Sequence, residues 1–195
     1  ATVLDIADDT GLERLISDIV ARRGPIREFL EAAAKAGGVD AVLRRESELD
    51  PHETAEDILA SFWPLDGLQG VTLESYLVAA ENLGSETVKA SAAGLRGLIK
   101  LTDAEARRAA LYDLFFTGTG TPRNLDRSFF SKKVRDSAPY LEDALLAAQA
   151  HITACDDRLR RFRMVEATSA ALVIAERLIG DYEDLKRARS LLDFD

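Results

Sequence analysis

The stretch between Pro139 and Gly180 contains no glycine and no proline. Within it, apolar residues recur at Leu141, Leu145, Ala148, Ile152, Cys155, Leu159 and Phe162. Steps that alternate between four and three residues keep one seam on one face of a helix. At 1.5 Å per residue such a helix reaches roughly 60 Å. No single short partner covers that length. The pattern therefore predicts a spine, with the shorter upstream helices packed along it.

The upstream chain supplies those helices. Thr10 and Glu13 have capping-box spacing ahead of Leu12, Leu15, Ile16, Ile19 and Val20. Gly24 is expected to end this helix and Pro25 to open the next, with Ile26, Phe29, Leu30 and Ala33 as its apolar face. Gly37-Gly38 breaks the pattern before Val39, Val42 and Leu43. Asp50-Pro51, with Glu53, reads as a helix start leading to Ile58, Leu59, Phe62 and Trp63, and Pro64 as its stop. Further helices are expected around Leu73 to Ala80 and Val88 to Ile99. Another runs from a Thr102–Glu105 cap to Phe115. Thr117 to Arg123 is a loop by composition. No period-two strand and no fixed repeat is visible, and the linkers are short. The expectation is one all-α domain over residues 1–195, packed around the long carboxy-terminal helix.

Bulk composition narrows the function classes. Hydrophobic residues at 47% and charged residues at 30% are ordinary for a globular chain. No apolar run is long enough to span a bilayer, and the first residues lack a secretory signal's basic and apolar regions. One cysteine excludes an internal disulfide and fits a reducing cytoplasm. The net charge of −9 argues against a domain devoted to DNA binding. The charge is uneven, however. Gly118 to Arg135 holds five cations (Arg123, Arg127, Lys132, Lys133 and Arg135) against the single acid Asp126. Arg158 to Arg163 holds four arginines and no acid.

Catalytic motifs are sparse. Gly118-Thr-Gly-Thr-Pro lacks the lysine of a phosphate loop and follows a helix rather than a strand. His151 and Cys155 have a spacing that metals use, but no further ligand is in sight. A small core cysteine flanked by a histidine is the simpler reading. Acid pairs such as Asp156-Asp157 suit solvated helix faces as well as they suit general acid–base work. The cations of the Gly/Thr/Ser-rich island can lie along a phosphate backbone. The alternative is a solvated loop that offsets acidity elsewhere. The arginines on the spine can equally pair with acids of neighbouring helices.

Two segments carry a family resemblance. Tyr182, Lys186, Arg189 and Leu192-Asp193-Phe194-Asp195 resemble the segment that closes the 1B subdomain of UvrD/Rep-type superfamily 1 helicases. Leu114-Phe-Phe-Thr-Gly-Thr-Gly-Thr-Pro-Arg123, followed by Phe130-Ser-Lys132-Lys133, resembles a stretch of the AddA subunit of AddAB helicase–nucleases. The resemblance implies an all-α insertion in an ATP-dependent DNA helicase–nuclease that processes double-strand breaks with an AddB-type subunit. It implies duplex DNA beside this domain, with Arg123, Arg127, Lys132, Lys133 and Arg135 as phosphate contacts. ATP and Mg are expected for the parent and no cofactor for this chain, which carries no motor or nuclease motif. Residues 191–195 are expected to return to the ATPase domain. The competing expectation is a free-standing helical interaction module that docks through the spine.

Overall fold

In a computed structural model, the described residues are 9–189, and they form an all-α protein. The predicted junction at 191–195 lies outside them. The helices are α1 (Asp9–Ala21), α2 (Arg23–Lys35), α3 (Val39–Glu46), α4 (Ala55–Ser61) and α5 (Gly70–Leu83). They are followed by α6 (Glu86–Leu98), α7 (Ala104–Phe115), α8 (Leu125–Ser128), α9 (Lys132–Ser137) and α10 (Leu141–Ala188). Among the described residues, the one departure from helix, turn and loop is an isolated bridge between Phe116 and Pro122. The long helix exists, and at 48 residues it is longer than the sequence suggested. It passes through Gly180, because one glycine costs a helix only about 1 kcal/mol. Contacts beyond that point offset part of this: Arg27 pairs with Glu183, and the Arg23 guanidinium lies 6.0 Å from the Tyr182 ring centroid.

The described residues form two compact units, 53–159 and 9–52 with 160–189. In the first, α4 to α9 gather with the opening half of α10. Leu141, Leu145, Ala148 and Ile152 of the predicted seam are fully buried there, as are Ile58, Phe62, Tyr76, Leu95, Leu111, Phe115 and Phe129. Phe115 and Phe129 stack with centroids 4.6 Å apart, and the buried Tyr76 hydroxyl donates to the Phe129 carbonyl at 3.1 Å. That bond satisfies a polar group which would otherwise be costly so deep in the core. The link before α5 needs glycine. Gly67 has φ +71°, and a Cβ there would lie 2.9 Å from the Ala147 Cβ.

The second unit joins α1, α2 and α3 to the later half of α10. Its interior is smaller. Ile19, Ala175 and Ile179 form one buried cluster, flanked by Ile26 and Leu178. Ala33, Leu49, Phe162 and Val165 are also buried. The Arg44 guanidinium lies 5.1 Å from the Phe162 ring centroid, and Arg161 NH1 donates to the Ser47 carbonyl at 2.9 Å.

Several helix starts differ from expectation. Helix α2 begins at Arg23, so Gly24 and Pro25 lie inside its first turn rather than between helices. There the orphan amides of a helix start make proline cheap. Asp50 does not cap α4; it accepts from the His52 amide at 2.9 Å in a local turn. The cap is Thr54, in a reciprocal capping box with Asp57. Asp103, not Thr102, caps α7, accepting from the Ala106 amide at 2.6 Å. At α4 and α7 a nearby side-chain oxygen reaches the free amides better than the residue expected from spacing alone. Thr10 already lies within α1.

Candidate nucleic-acid interface

The basic island starts where α7 ends. The chain reverses through Thr117 to Thr121, with the Thr117 amide donating to the Thr121 carbonyl and the Gly120 amide to the Thr117 carbonyl, both at 2.8 Å. Gly120 has φ +80°, which explains glycine at that position. The Thr117 and Thr119 hydroxyls are 2.9 Å apart, and those of Thr119 and Thr121 are 3.3 Å apart. The outgoing segment is fastened by the Arg123 amide, which donates to the Phe115 carbonyl at 2.8 Å. Gln149 of α10 then clamps the turn's base: its Nε2 donates to the carbonyls of Phe115 at 3.2 Å and Arg123 at 3.1 Å. The island is thus held by the spine rather than hanging from a free loop.

The five predicted cations have different fates. Arg123 is exposed, with its guanidinium bonded to the Asp113 carbonyl at 3.3 and 3.2 Å. Arg135 is bound to acids: it pairs with Asp126, and its Nε lies 3.2 Å from Glu142 Oε2. Its guanidinium also sits 5.3 Å from the Phe130 ring centroid. Arg127 ends α8 and is exposed. Lys132 and Lys133 open α9 and are exposed. Among the described residues, no carboxylate lies within ion-pairing distance of Arg127, Lys132 or Lys133. Helix α9 is capped by the Ser131 hydroxyl, which accepts from the Val134 amide at 3.3 Å and donates to the Leu83 carbonyl at 3.0 Å. Two lysines in a first helical turn run against the helix dipole, so local stability does not account for their position. A cleft of about 320 Å³ lies beside the turn, lined by Arg123, Asn124, Asp126, Glu142, Leu146 and Gln149. The acids lie in this cleft, whereas Lys132 and Lys133 do not line it.

The arginines on the spine are engaged. Arg158 makes a two-pronged contact with Glu53, with Nε 2.9 Å from Oε2 and NH2 2.7 Å from Oε1. Arg161 holds the Ser47 carbonyl and lies 3.4 Å from Glu48. Asp156 is buried and accepts from Arg108 at 2.6 Å. His151 Nε2 lies 2.8 Å from the Ser61 carbonyl and Nδ1 3.3 Å from Asp66. Burial pushes the neighbouring Cys155 thiol above its usual range, against a smaller opposite pull from its Ser61 contact. Among the described residues, no group of three or more His, Cys, Asp or Glu side chains could hold a metal ion. None of their helices is long and apolar enough to cross a membrane.

Two features escaped the sequence reading. Gln149 gave no signal, because its partners lie at Phe115 and Arg123. The other is an apolar groove along α5. Its signal was present: Val71 and Val78 recur on a face that Leu73, Tyr76, Leu77 and Ala80 do not occupy, which makes the helix apolar on two sides.

Comparison of the chain with protein-family models, with curated proteins and with solved structures finds no match.

Proposed function

We propose that this chain is a 1B-type helical subdomain of an AddA-like helicase–nuclease, and that it holds duplex DNA by its phosphates during double-strand break repair. The motif resemblance motivates the parent. The observation that carries the DNA contact is the exposure of Arg127, Lys132 and Lys133 without acidic partners among the described residues, on a protein whose net charge is −9. Arg135 of the same island, and Arg108, Arg158 and Arg161 elsewhere, are matched to carboxylates. Cations left unmatched on an acidic protein suit an external polyanion. Arg123 adds a cation beside the threonine turn. Arg135 contributes to the fold of the island rather than to the phosphate.

The chain performs no chemical step in this reading. The Gly118–Gly120 turn does not fit a nucleotide: it follows α7, has no lysine within it, and its threonine hydroxyls bond one another. ATP and Mg belong to the motor of the parent, and an AddB-type subunit is its partner. Positioning is the function, and salt dependence is its signature. Each phosphate neutralised contributes about 0.9 to the slope of log K against log salt. The test is binding of the chain to a blunt duplex over a salt series, against the double variant Lys132→Glu, Lys133→Glu. The expected result is weaker binding and a slope smaller by about two, with the helical signal unchanged. Equal slopes would remove these lysines from the interface.

A further inference from the structure

The groove along α5 lies apart from the basic island's cleft and has a volume of about 980 Å³. Its lining includes Trp63, Val71, Glu74, Val78, Leu83 and Ile99. Val71 is 84% exposed, Val78 53%, Ile99 47% and Leu83 38%. Val71, Glu74 and Val78 follow one another at helical spacing, so these side chains line the groove for about two turns of the helix. It is open to solvent along these side chains. A small ligand that needs most of its surface buried is therefore poorly served, and a second helix laid lengthwise is well served.

Glu74 decides the chemistry of that helix. It is exposed and lines the same apolar wall, and among the described residues no cation pairs with it. Any surface that covers Val71 and Val78 strips water from this carboxylate. Desolvating an unpaired carboxylate is costly, so an all-apolar or acidic cover is disfavoured and a cover with a cation at that point is selected. We propose that the groove docks an amphipathic helix of a partner protein, with apolar anchors at i, i+4 and i+7 and a lysine or arginine between them that meets Glu74. Apolar anchors supply the affinity, and the ion pair sets register and partner choice. The inference does not rest on the DNA reading, since none of the groove's lining residues belongs to the proposed phosphate contacts.

The experiment uses synthetic helical peptides of about eighteen residues, with leucines at i, i+4 and i+7 and either arginine or glutamate at i+3. Binding is followed by tryptophan fluorescence of Trp63, the only tryptophan of the chain, and by methyl shifts of Val71, Val78 and Ile99. The arginine peptide should bind and move these methyls, and the glutamate peptide should bind at least about tenfold more weakly. Val78→Asp should abolish binding without changing the thermal melt, since Val78 is solvent-facing. Glu74→Lys should invert the preference between the two peptides. Equal affinity for both peptides, or no saturable binding by either, would overturn the proposal. Concentration-dependent dimerisation that Val78→Asp removes would assign the groove to a second copy and overturn it as well.

Discussion

Arg158 and Lys132 both sit in basic clusters, one of four arginines in residues 158–163 and one of five cations in residues 118–135, yet they do different things. Arg158 lies on the spine against Glu53, a residue 105 positions away whose side chain is only 8% exposed. Lys132 opens a short surface helix with no acid in reach among the described residues. Both clusters look alike by composition, because what neutralises the spine arginines arrives through the fold. A cluster is a binding site only for the charge the fold leaves over. On that reckoning, the island at 118–135 keeps Arg127, Lys132, Lys133 and part of Arg123, and loses Arg135 to Asp126 and Glu142.

The contrast can be broken most sharply where a cation is most deeply committed. Asp156→Ala leaves Arg108 without its buried partner, beside the Phe62 ring whose centroid is 5.8 Å away. The expected loss is about 2 kcal/mol in urea denaturation, because the part-buried guanidinium then keeps only the more exposed Glu105, 3.7 Å away. Glu53→Gln removes the charge from the two-pronged contact with Arg158 and is expected to cost about 1 kcal/mol by the same assay. Neither change should alter the salt slope of DNA binding. Arg135→Gln is expected to cost about 0.5 kcal/mol, as its acid partners are solvent-accessible, and to leave the slope nearly unchanged.

The smallest expected effect is at the α4 cap. Hydrogen bonds from the Thr54 side chain, and then from its backbone amide, hold the Asp57 carboxyl below its usual pKa. A depressed carboxyl contributes stability that is present above its unfolded pKa. That contribution is lost as pH falls through the folded value. Asp57→Asn should flatten this part of the acid limb in denaturation curves measured across pH, by lowering the neutral plateau slightly while leaving stability at low pH close to wild type.

Much of the fold was legible because it follows from periodicity. The seam from Leu141 to Phe162 is buried at each residue named, and the absence of glycine and proline did predict a long helix. Boundaries were less legible. Asp50 and Thr102 have the right chemistry for caps, but Thr54 and Asp103 are better placed to reach the free amides. Gly180 has the wrong chemistry for a helix interior, yet the helix continues through it. The island's location was readable from charge. Its internal division was not, since what sets Arg135 apart from Lys132 is the fold's placing Glu142, Asp126 and the Phe130 ring within its reach. Glu74 was an unremarkable acid in the sequence, and became informative only once Val71 and Val78 were seen to be uncovered.

In the proposed function, cations left unmatched at one place, rather than charge in general, meet DNA. The direct measurement compares two double variants of identical net charge across one salt series with the same duplex. One is Lys132→Glu with Lys133→Glu; the other is Lys35→Glu with Lys100→Glu, exposed lysines outside the island. The account predicts that the island variant lowers the slope by about two and the control leaves it near wild type. An equal drop in both variants, or in neither, would contradict it.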